Sequence, residues 1–184
     1  MDNFISDKFI GGGAFRGHEI TVRAAELSDV GEIIELASKE AIHSMSPYRH
    51  PDQEKVIAAR NEDLQSLYTM WWAPDMGIFV ACDESGRIIG HVIVKIGGKE
   101  FLTGEEQAWI YDITVDPNYW GTGLAKRLME QAELYAQEQG MGYLGLTVTC
   151  ANLRAIRFYQ NMGYQDERIQ MVKILSPIIP EDIL

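Results

Sequence analysis

A predicted strand, a turn and two closely spaced glycines follow one another in the middle of this chain. Residues 110–115 are mostly apolar and predict a strand, and residues 116–118 (Asp-Pro-Asn) predict a turn. Gly121 and Gly123 then precede a pattern typical of an amphipathic helix. This order places several backbone N–H groups at a helix N-terminus, where they lack intrahelical partners and the helix dipole is positive. Such an arrangement binds phosphate or diphosphate, so the loop predicts a phosphorylated cofactor.

The chain is long enough for one domain with a substantial core. It has 184 residues, 46% of them hydrophobic, and no apolar run near the roughly 18 residues that a membrane helix needs. The N-terminus has no basic region followed by an apolar stretch, so we expect no signal peptide. Cys82 and Cys150 have no short spacing, which favours a reducing compartment. We therefore expect a cytoplasmic globular protein without a membrane partner.

Acidic residues dominate the charge of the chain. Asp and Glu total 27 against 16 Lys and Arg, for a net charge of −11. This balance argues against nucleic acid as a partner, because phosphate contacts need a basic surface. It is compatible with a cationic substrate, although solubility explains the acidity more simply. No His or Cys has metal-ligand spacing to another, so we expect no metal site.

The remaining pattern predicts a single α/β domain. Residues 1–17 contain three consecutive glycines and predict a flexible arm; the domain follows over residues 18–176, and residues 177–184 form a loose tail. Helices are predicted after Ser28 or Asp29, after Asp52, after the glycine loop and after Asn152. Strands are predicted over residues 18–23, 77–82, 87–96, 108–115 and 143–149 and within 164–175.

The spacing within the glycine loop separates the cofactor classes that use such loops. A P-loop would need Gly, four residues and then Gly-Lys-Ser/Thr, which the chain lacks. A dinucleotide fingerprint would need a third small residue where Lys126 stands, and an acidic residue after the next strand, where residues 147–149 read Thr-Val-Thr. A nucleotide-linked oxidoreductase is therefore disfavoured. Two glycines alone predict a plain tight turn at least as well as a phosphate site.

A second motif lies further along the chain and decides between these alternatives. Residues 152–164 read Asn-Leu-Arg-Ala-Ile-Arg-Phe-Tyr-Gln-Asn-Met-Gly-Tyr. Together with Val-Asp-Pro at 115–117 and Gly-Thr-Gly-Leu-Ala at 121–125, this motif resembles the GNAT superfamily of acyl-CoA-dependent N-acetyltransferases. The resemblance covers the element order from residue 18 to residue 175. One departure is Trp120, because the family usually carries Arg or Gln there, a side chain suited to orienting the diphosphate.

The resemblance implies a fold and a cofactor pose. The fold would be one GNAT-like domain with a mixed, mostly antiparallel sheet of six or seven strands, splayed at its centre and flanked by about four helices. Acetyl-CoA would be the co-substrate, with its pantetheine amides paired to the backbone of Ile113, Thr114 and Val115. Its diphosphate would bind backbone amides of the loop residues Gly121, Thr122, Gly123, Leu124, Ala125 and Lys126.

The resemblance also implies a direct attack of an amine on the thioester, which forms an oxyanion and then a thiolate. By family analogy Tyr159 protonates the sulfur, and Asn152, two helical turns earlier, contacts pantetheine. The amine must lose a proton, and the sequence does not name the base. Asp112 on the central strand is the preferred candidate, although a carboxylate there could equally bind backbone amides. The alternatives are a water relay, Glu106, Tyr111 and His91.

The sequence therefore predicts transfer of an acetyl or short acyl group from acyl-CoA to a primary amine through a tetrahedral intermediate. The partners would be acyl-CoA and the amine acceptor, with homodimerisation left open. A non-catalytic acyl-CoA sensor or interaction module is the alternative, because the base is unassigned. The acceptor is not specified, since function depends on the site and not on the fold.

Overall fold

Six strands form one sheet in this computed structural model, which describes residues 12–15, 18–67 and 70–175. They lie in chain order across the sheet; β1 to β5 pair antiparallel with their neighbours, and β5 pairs parallel with β6. The predicted mixed, mostly antiparallel sheet is confirmed. The strands are β1 Gly12–Phe15, β2 His18–Ala24, β3 Met76–Cys82, β4 Ile88–Lys99, β5 Glu106–Val115 and β6 Leu144–Gly145.

Four α-helices flank the sheet: α1 Val30–Glu40, α2 Gln53–Ser66, α3 Leu124–Glu138 and α4 Leu153–Asn161. Two predicted caps are confirmed, because the side chains of Asp52 and Asn152 accept hydrogen bonds from the N–H groups of Lys55 (2.7 Å) and Ala155 (3.1 Å). The expected cap of α1 is wrong, since Asp29 binds Arg23 instead. In the described ranges no helix has the length and apolar character needed to cross a bilayer.

Two apolar clusters cover the two faces of the sheet, as amphipathic helices require. Helix α3 packs Leu124, Leu128 and Ala132 against one face, and α1 packs Ile33, Ile34 and Ala37 against the other. The strands supply alternating residues to both clusters; for example, Val92 and Ile93 of β4 are fully buried on opposite faces. Burying such a side chain contributes about 1.5–3 kcal/mol. Because both faces are covered, the open features of the fold lie at the edges and ends of strands.

The N-terminal boundary differs from the expectation. Gly12–Phe15 is strand β1 and pairs antiparallel with β2, from Gly12 opposite Thr21 to Phe15 opposite His18. The expected flexible arm over residues 1–17 is therefore wrong for these four positions. The pairing uses backbone groups, which a glycine-rich segment retains, so side-chain pattern did not reveal it. Residues 1–11 and 16–17 and the expected tail at 177–184 lie outside the described residues.

The C-terminal strands are shorter than predicted. The strand expected over residues 143–149 is only Leu144–Gly145, and residues 164–175, expected to hold one or two strands, contain none. Ile169, Met171 and Leu175 are 88%, 89% and 85% exposed. An alternating apolar pattern forms a strand only where a partner strand exists, and no described strand pairs with this segment, although Tyr164 at its start packs against the core.

The predicted splay of the sheet is confirmed, and it begins at a contact between Trp109 and Gly145. These two residues are paired in register, and a Cβ on Gly145 would lie 2.4 Å from the Trp109 ring. Only glycine allows this approach. Strand β6 ends at Gly145, so among the described residues no strand pairs with this edge of β5 over residues 113–115.

Candidate active site

The glycine loop connects the open end of β5 to α3. The Asp116 carboxylate accepts the N–H of Asn118 at 2.9 Å, and Pro117–Tyr119 forms a single 3-10 turn. Gly121 and Gly123 have φ angles of 74° and 86°, in the left-handed region that favours glycine. Gly123 immediately precedes α3, so its conformation sets the direction of the first N–H groups of that helix.

The start of α3 carries several unpaired donors. The N–H of Leu124 lies 3.4 Å from the Thr122 hydroxyl, and the N–H of Thr122 lies 3.4 Å from the Tyr119 carbonyl, both at the long limit for hydrogen bonds. Because the dipole of a 15-residue helix adds positive potential, these groups can hold an anion. The N–H groups that donate to no described residue are those of Gly121, Gly123, Ala125 and Lys126.

The side chain of Lys126 does not turn toward the loop. Its Nζ atom lies 3.5 Å from Glu130 Oε1, and both side chains are largely exposed. This is a surface pair of the i,i+4 kind, which contributes little. The ammonium group of Lys126 therefore pairs with Glu130 on the outer surface of α3.

Trp120 links three elements around the loop. Its Nε1 donates to the Val115 carbonyl at 2.8 Å. The His43 ring meets it edge-on with centroids 5.0 Å apart, and Arg154 Cζ lies 3.3 Å from its centroid. The ring therefore contacts the end of β5, the 3-10 segment Ala41–Ser44 that follows α1, and the first turn of α4. One of the carbonyls expected to serve pantetheine, that of Val115, already has a donor.

Asp112 lies on β5, and three side chains donate to it. Oδ1 accepts Arg60 Nη2 at 2.6 Å, Oδ2 lies 2.6 Å from His91 Nε2, and the Thr114 hydroxyl donates to Oδ2 at 3.2 Å. Burial alone would raise the pKa of this carboxyl, but the hydrogen bond and charge of His91, together with Arg60, hold the pKa below its usual range. Asp112 is therefore a carboxylate at neutral pH.

His91, on β4, contacts the carboxylate of Asp112. Its side chain is fully buried, and its Nδ1 has no partner in the described part of the chain. A proton must lie between Nε2 and Oδ2, because two lone pairs at 2.6 Å would repel. The structure therefore joins Asp112 and His91, which the sequence offered as alternative bases, into one pair.

Arg60 is a site residue that the sequence did not reveal. It projects from α2 and binds Asp112 and also Asp63, whose Oδ2 lies 2.5 Å from its Nη1. A basic residue on an amphipathic helix predicts a solvated face, and nothing in the local pattern names a strand 52 positions away. The other candidate base, Glu106, lies at the opposite end of β5, about 20 Å from Asp112 at roughly 3.3 Å per residue.

Tyr159 lies on α4, among aromatic side chains. Its ring is 5.8 Å from the Tyr164 ring and 5.2 Å from the Phe158 ring, between centroids. Its hydroxyl donates to no described residue. Burial, and secondly the negative charge of Asp112, raise the pKa of Tyr159 to about 12. The phenol therefore keeps its proton at neutral pH. Asn152, seven residues earlier, uses its side-chain oxygen to cap α4.

The structure thus couples Tyr159 to Asp112, which is bound by His91, and Trp120 joins the end of β5 to the loop with free N–H groups. Tyr111, another candidate base, lines an apolar groove with Leu64 and Ile93 and is 40% exposed. Among the described residues no three His, Cys, Asp or Glu side chains are placed to hold a metal ion. The arrangement offers a protonated phenol, a carboxylate and a loop with free N–H groups.

Comparison with known sequences places this site in a family. The profile of the acetyltransferase (GNAT) family matches residues 40–164, more than half of the chain. The mycothiol acetyltransferase of Propionibacterium freudenreichii subsp. shermanii is 27% identical over 124 residues, which are 67% of this chain and 38% of that protein. The chain thus spans well under half the length of this relative.

Solved structures share the fold. A putative acetyl transferase from Pyrococcus furiosus superposes with a TM-score of 0.72 at 26% identity, covering 85% of this chain and 100% of that one. The aminoglycoside N-acetyltransferase AAC(6')-Iy, solved in complex with CoA, has a TM-score of 0.61 at 18% identity, covering 88% and 98%, a likeness of fold alone. The chain therefore belongs to the acetyltransferase (GNAT) family.

Proposed function

We propose that this protein transfers an acetyl or short acyl group from acyl-CoA to a primary amine. The observation that carries the proposal is the position of Tyr159, a protonated phenol without a hydrogen-bond partner among the described residues and within the electrostatic reach of Asp112. Tyr159 packs against the apolar cluster that contains Val115 of β5, the strand along which a thioester would enter. A non-catalytic binding module would have no need of a free proton donor at this point.

The cofactor would extend along β5 into the glycine loop. Its pantetheine amides would pair with the open edge over Ile113, Thr114 and Val115, as a neighbouring strand does. Its diphosphate would accept the free N–H groups of the loop between Gly121 and Lys126. The side-chain oxygen of Asn152 caps α4, and its side-chain nitrogen would point toward the pantetheine arm. Of the backbone groups named, the Val115 carbonyl already accepts Trp120 Nε1, so pantetheine would use the other groups of this edge.

The reaction would be a direct attack. The amine nitrogen forms a bond to the thioester carbon, and a backbone N–H of β5 stabilises the oxyanion. When the intermediate collapses, the C–S bond breaks and the phenolic proton of Tyr159 passes to the departing sulfur. The products are the amide and CoA with a free thiol, and Tyr159 recovers its proton from the proton that the amine has released.

The proton acceptor would be the Asp112–His91 pair and not an isolated carboxylate. A carboxylate whose pKa is lowered is a weak base toward an ammonium ion. His91 Nε2 lies 2.6 Å from Asp112 Oδ2, so the two groups would accept the proton of the amine as one unit. In this scheme Asp112 faces the substrate, and His91 takes part of the charge behind it.

A cationic amine fits the surroundings best. The chain carries a net charge of −11, which favours the approach of cations. Two relatives bear names that refer to mycothiol and to an aminoglycoside. An amine panel should therefore contain an aminoglycoside, the amine precursor of mycothiol, a polyamine and a lysine peptide.

The test is release of CoA thiol from acetyl-CoA with each amine, for the parent, Tyr159→Phe and the control Tyr143→Phe, whose side chain is 59% exposed. We expect amine-dependent thiol release by the parent and the control and a loss of about 10²-fold in kcat for Tyr159→Phe. Binding of acetyl-CoA without thiol release for any amine would favour the non-catalytic module. Unchanged turnover by Tyr159→Phe would remove this residue from the mechanism.

A further inference from the structure

Trp120 and Arg154 form a stacked pair beside the glycine loop. The guanidinium carbon of Arg154 lies 3.3 Å from the centroid of the Trp120 ring, the separation of two stacked planes. The indole is itself held in place, by the bond from Nε1 to the Val115 carbonyl and by the edge contact with His43. The position of the guanidinium is therefore defined by a ring that precedes Gly121 by one residue.

Arg154 has no anionic partner among the described residues. Among these residues its one interaction is the stacking contact with Trp120. By contrast, Arg23, Arg60 and Arg87 each bind a carboxylate. The Arg154 side chain is exposed, and one face of its guanidinium is covered by the Trp120 ring. An anion can therefore reach its donors from solution.

The stacked geometry also leaves the donors of Arg154 available. The five N–H groups of a guanidinium lie in its plane, so a contact through the face blocks none of them. In that plane they can bind two oxygens of a phosphate at once, which an ammonium cannot do. The site is thus suited to an anion with several oxygens next to the loop.

We infer that Arg154 binds the diphosphate of the acyl-CoA and supplies the charge that is missing at position 120. This inference rests on the proposed function. Trp120 acts as the platform that holds the guanidinium toward Gly121 and the free N–H groups of the loop. The chain would therefore divide between two residues the task that a single Arg or Gln side chain could perform at position 120.

The test compares three thioesters: acetyl-CoA, its 3'-dephospho form, and S-acetyl-pantetheine, which has no phosphate. Arg154→Gln should raise KM about tenfold for the first two, the loss of one charge-assisted hydrogen-bonded contact, with kcat unchanged. The KM for S-acetyl-pantetheine should stay within about twofold of the parent value. Arg157→Gln removes the same charge from an exposed position of α4 and should leave all three values near those of the parent.

Trp120→Leu tests the platform. It should raise the KM for acetyl-CoA in the same direction, and combining it with Arg154→Gln should add little, because both changes remove one contact. Equal losses with all three thioesters, or no loss, would overturn the inference, as would a loss confined to acetyl-CoA, which would assign Arg154 to the 3'-phosphate. Failure of the parent to release thiol from any thioester would contradict the proposed function instead.

Discussion

His91 Nε2 lies 2.6 Å from Asp112 Oδ2, and the second oxygen of the same carboxylate is bound by Arg60. The carboxylate thus contacts a titratable imidazole on one side and a permanent cation on the other. The positive charge of Arg60 favours the ionised form of Asp112, and His91 supplies a second atom that can carry a proton. The proton acceptor that we propose is accordingly the pair that Asp112 forms with His91.

The pair should behave as one unit when it is mutated. We expect Asp112→Asn and His91→Gln each to lower kcat by about 10²-fold and the double variant to lose little more. Gln can still donate a hydrogen bond to Asp112 but cannot take up a proton. Steady-state kinetics at saturating acetyl-CoA measures the effect, with His50→Gln, at an exposed position, as the control.

The pH profile separates this role from a structural one. In the parent, activity should rise with pH as Asp112 loses its proton. In His91→Gln this rise should move to higher pH, because the hydrogen bond and charge of His91 are the largest effects that lower the pKa of Asp112. If the midpoint of the pH profile stays the same and only the maximal activity falls, His91 acts in packing. Melting curves of His91→Gln and Asp112→Asn would measure that packing role.

The contribution of Tyr159 should not vary with pH near neutrality. Its pKa is raised to about 12 by burial, so the phenol is fully protonated from pH 6 to pH 9. The ratio of parent to Tyr159→Phe activity should therefore be constant across that interval. Parallel pH–rate curves for the two proteins are the measurement, and a ratio that changes severalfold would mean that another titrating group acts through Tyr159.

Gly123→Ala should weaken both the fold and the binding of CoA. Its φ of 86° is strained for alanine, which costs about 1–2 kcal/mol, and relief of the strain would turn the first N–H groups of α3 away from their present direction. We expect a lower melting temperature and a Kd for CoA raised about tenfold by calorimetry.

The matched control for this change is Gly31→Ala. Gly31 lies inside α1 with open space where a Cβ would stand, so alanine there should stabilise the protein by about 0.5–1 kcal/mol and leave CoA binding unchanged. A Gly123→Ala variant that matches Gly31→Ala in both measurements would contradict the role of the left-handed turn.

Asp29 should make the stability depend on acidity. Arg23 donates to its two oxygens at 2.6 and 2.9 Å and, as the largest cause, lowers the pKa of Asp29 below 3.8. A depressed carboxyl pKa stabilises the fold at pH values above the unfolded pKa, and this stabilisation is lost as pH falls through the folded pKa. Asp29→Asn should thus cost about 2 kcal/mol at pH 7 and progressively less below pH 4.

Urea denaturation at a series of pH values checks this expectation, with Asp166→Asn, at an exposed position, as the control. The difference between parent and Asp29→Asn should narrow on acidification while the control stays level. A difference that is the same at pH 3 and pH 7 would show that Asp29 acts through its shape and hydrogen bonds and not through its charge.

Local pattern was enough to predict much of the fold. The caps at Asp52 and Asn152, the strands β3 and β4 and the order of strand, loop and helix around Gly121 each depend on residues that are neighbours in the chain. The shortness of β6 and the lack of strands in 164–175 could not be predicted in this way, because pairing depends on partners that are distant in sequence.

The candidate site shows the same division. The seven-residue spacing of Asn152 and Tyr159 is enough by itself to predict that both belong to one helix, α4. The contacts of Arg60 with Asp112 and of Arg154 with Trp120 join separate elements, and no periodicity encodes them. Asp112 was ambiguous from the sequence between a base and a structural carboxylate, because its environment is built by α2 and β4, which lie elsewhere in the chain.

The contact between Gly145 and Trp109 has a consequence for affinity. The two strands are paired only at Ala108 with Leu144 and at Trp109 with Gly145 among the described residues, and they are unpaired beyond the point where the indole packs on Gly145. An incoming thioester would not have to break a hydrogen-bonded ladder before it could pair with β5. No binding free energy would then be lost in separating the strands, which is the advantage of a preorganised receptor.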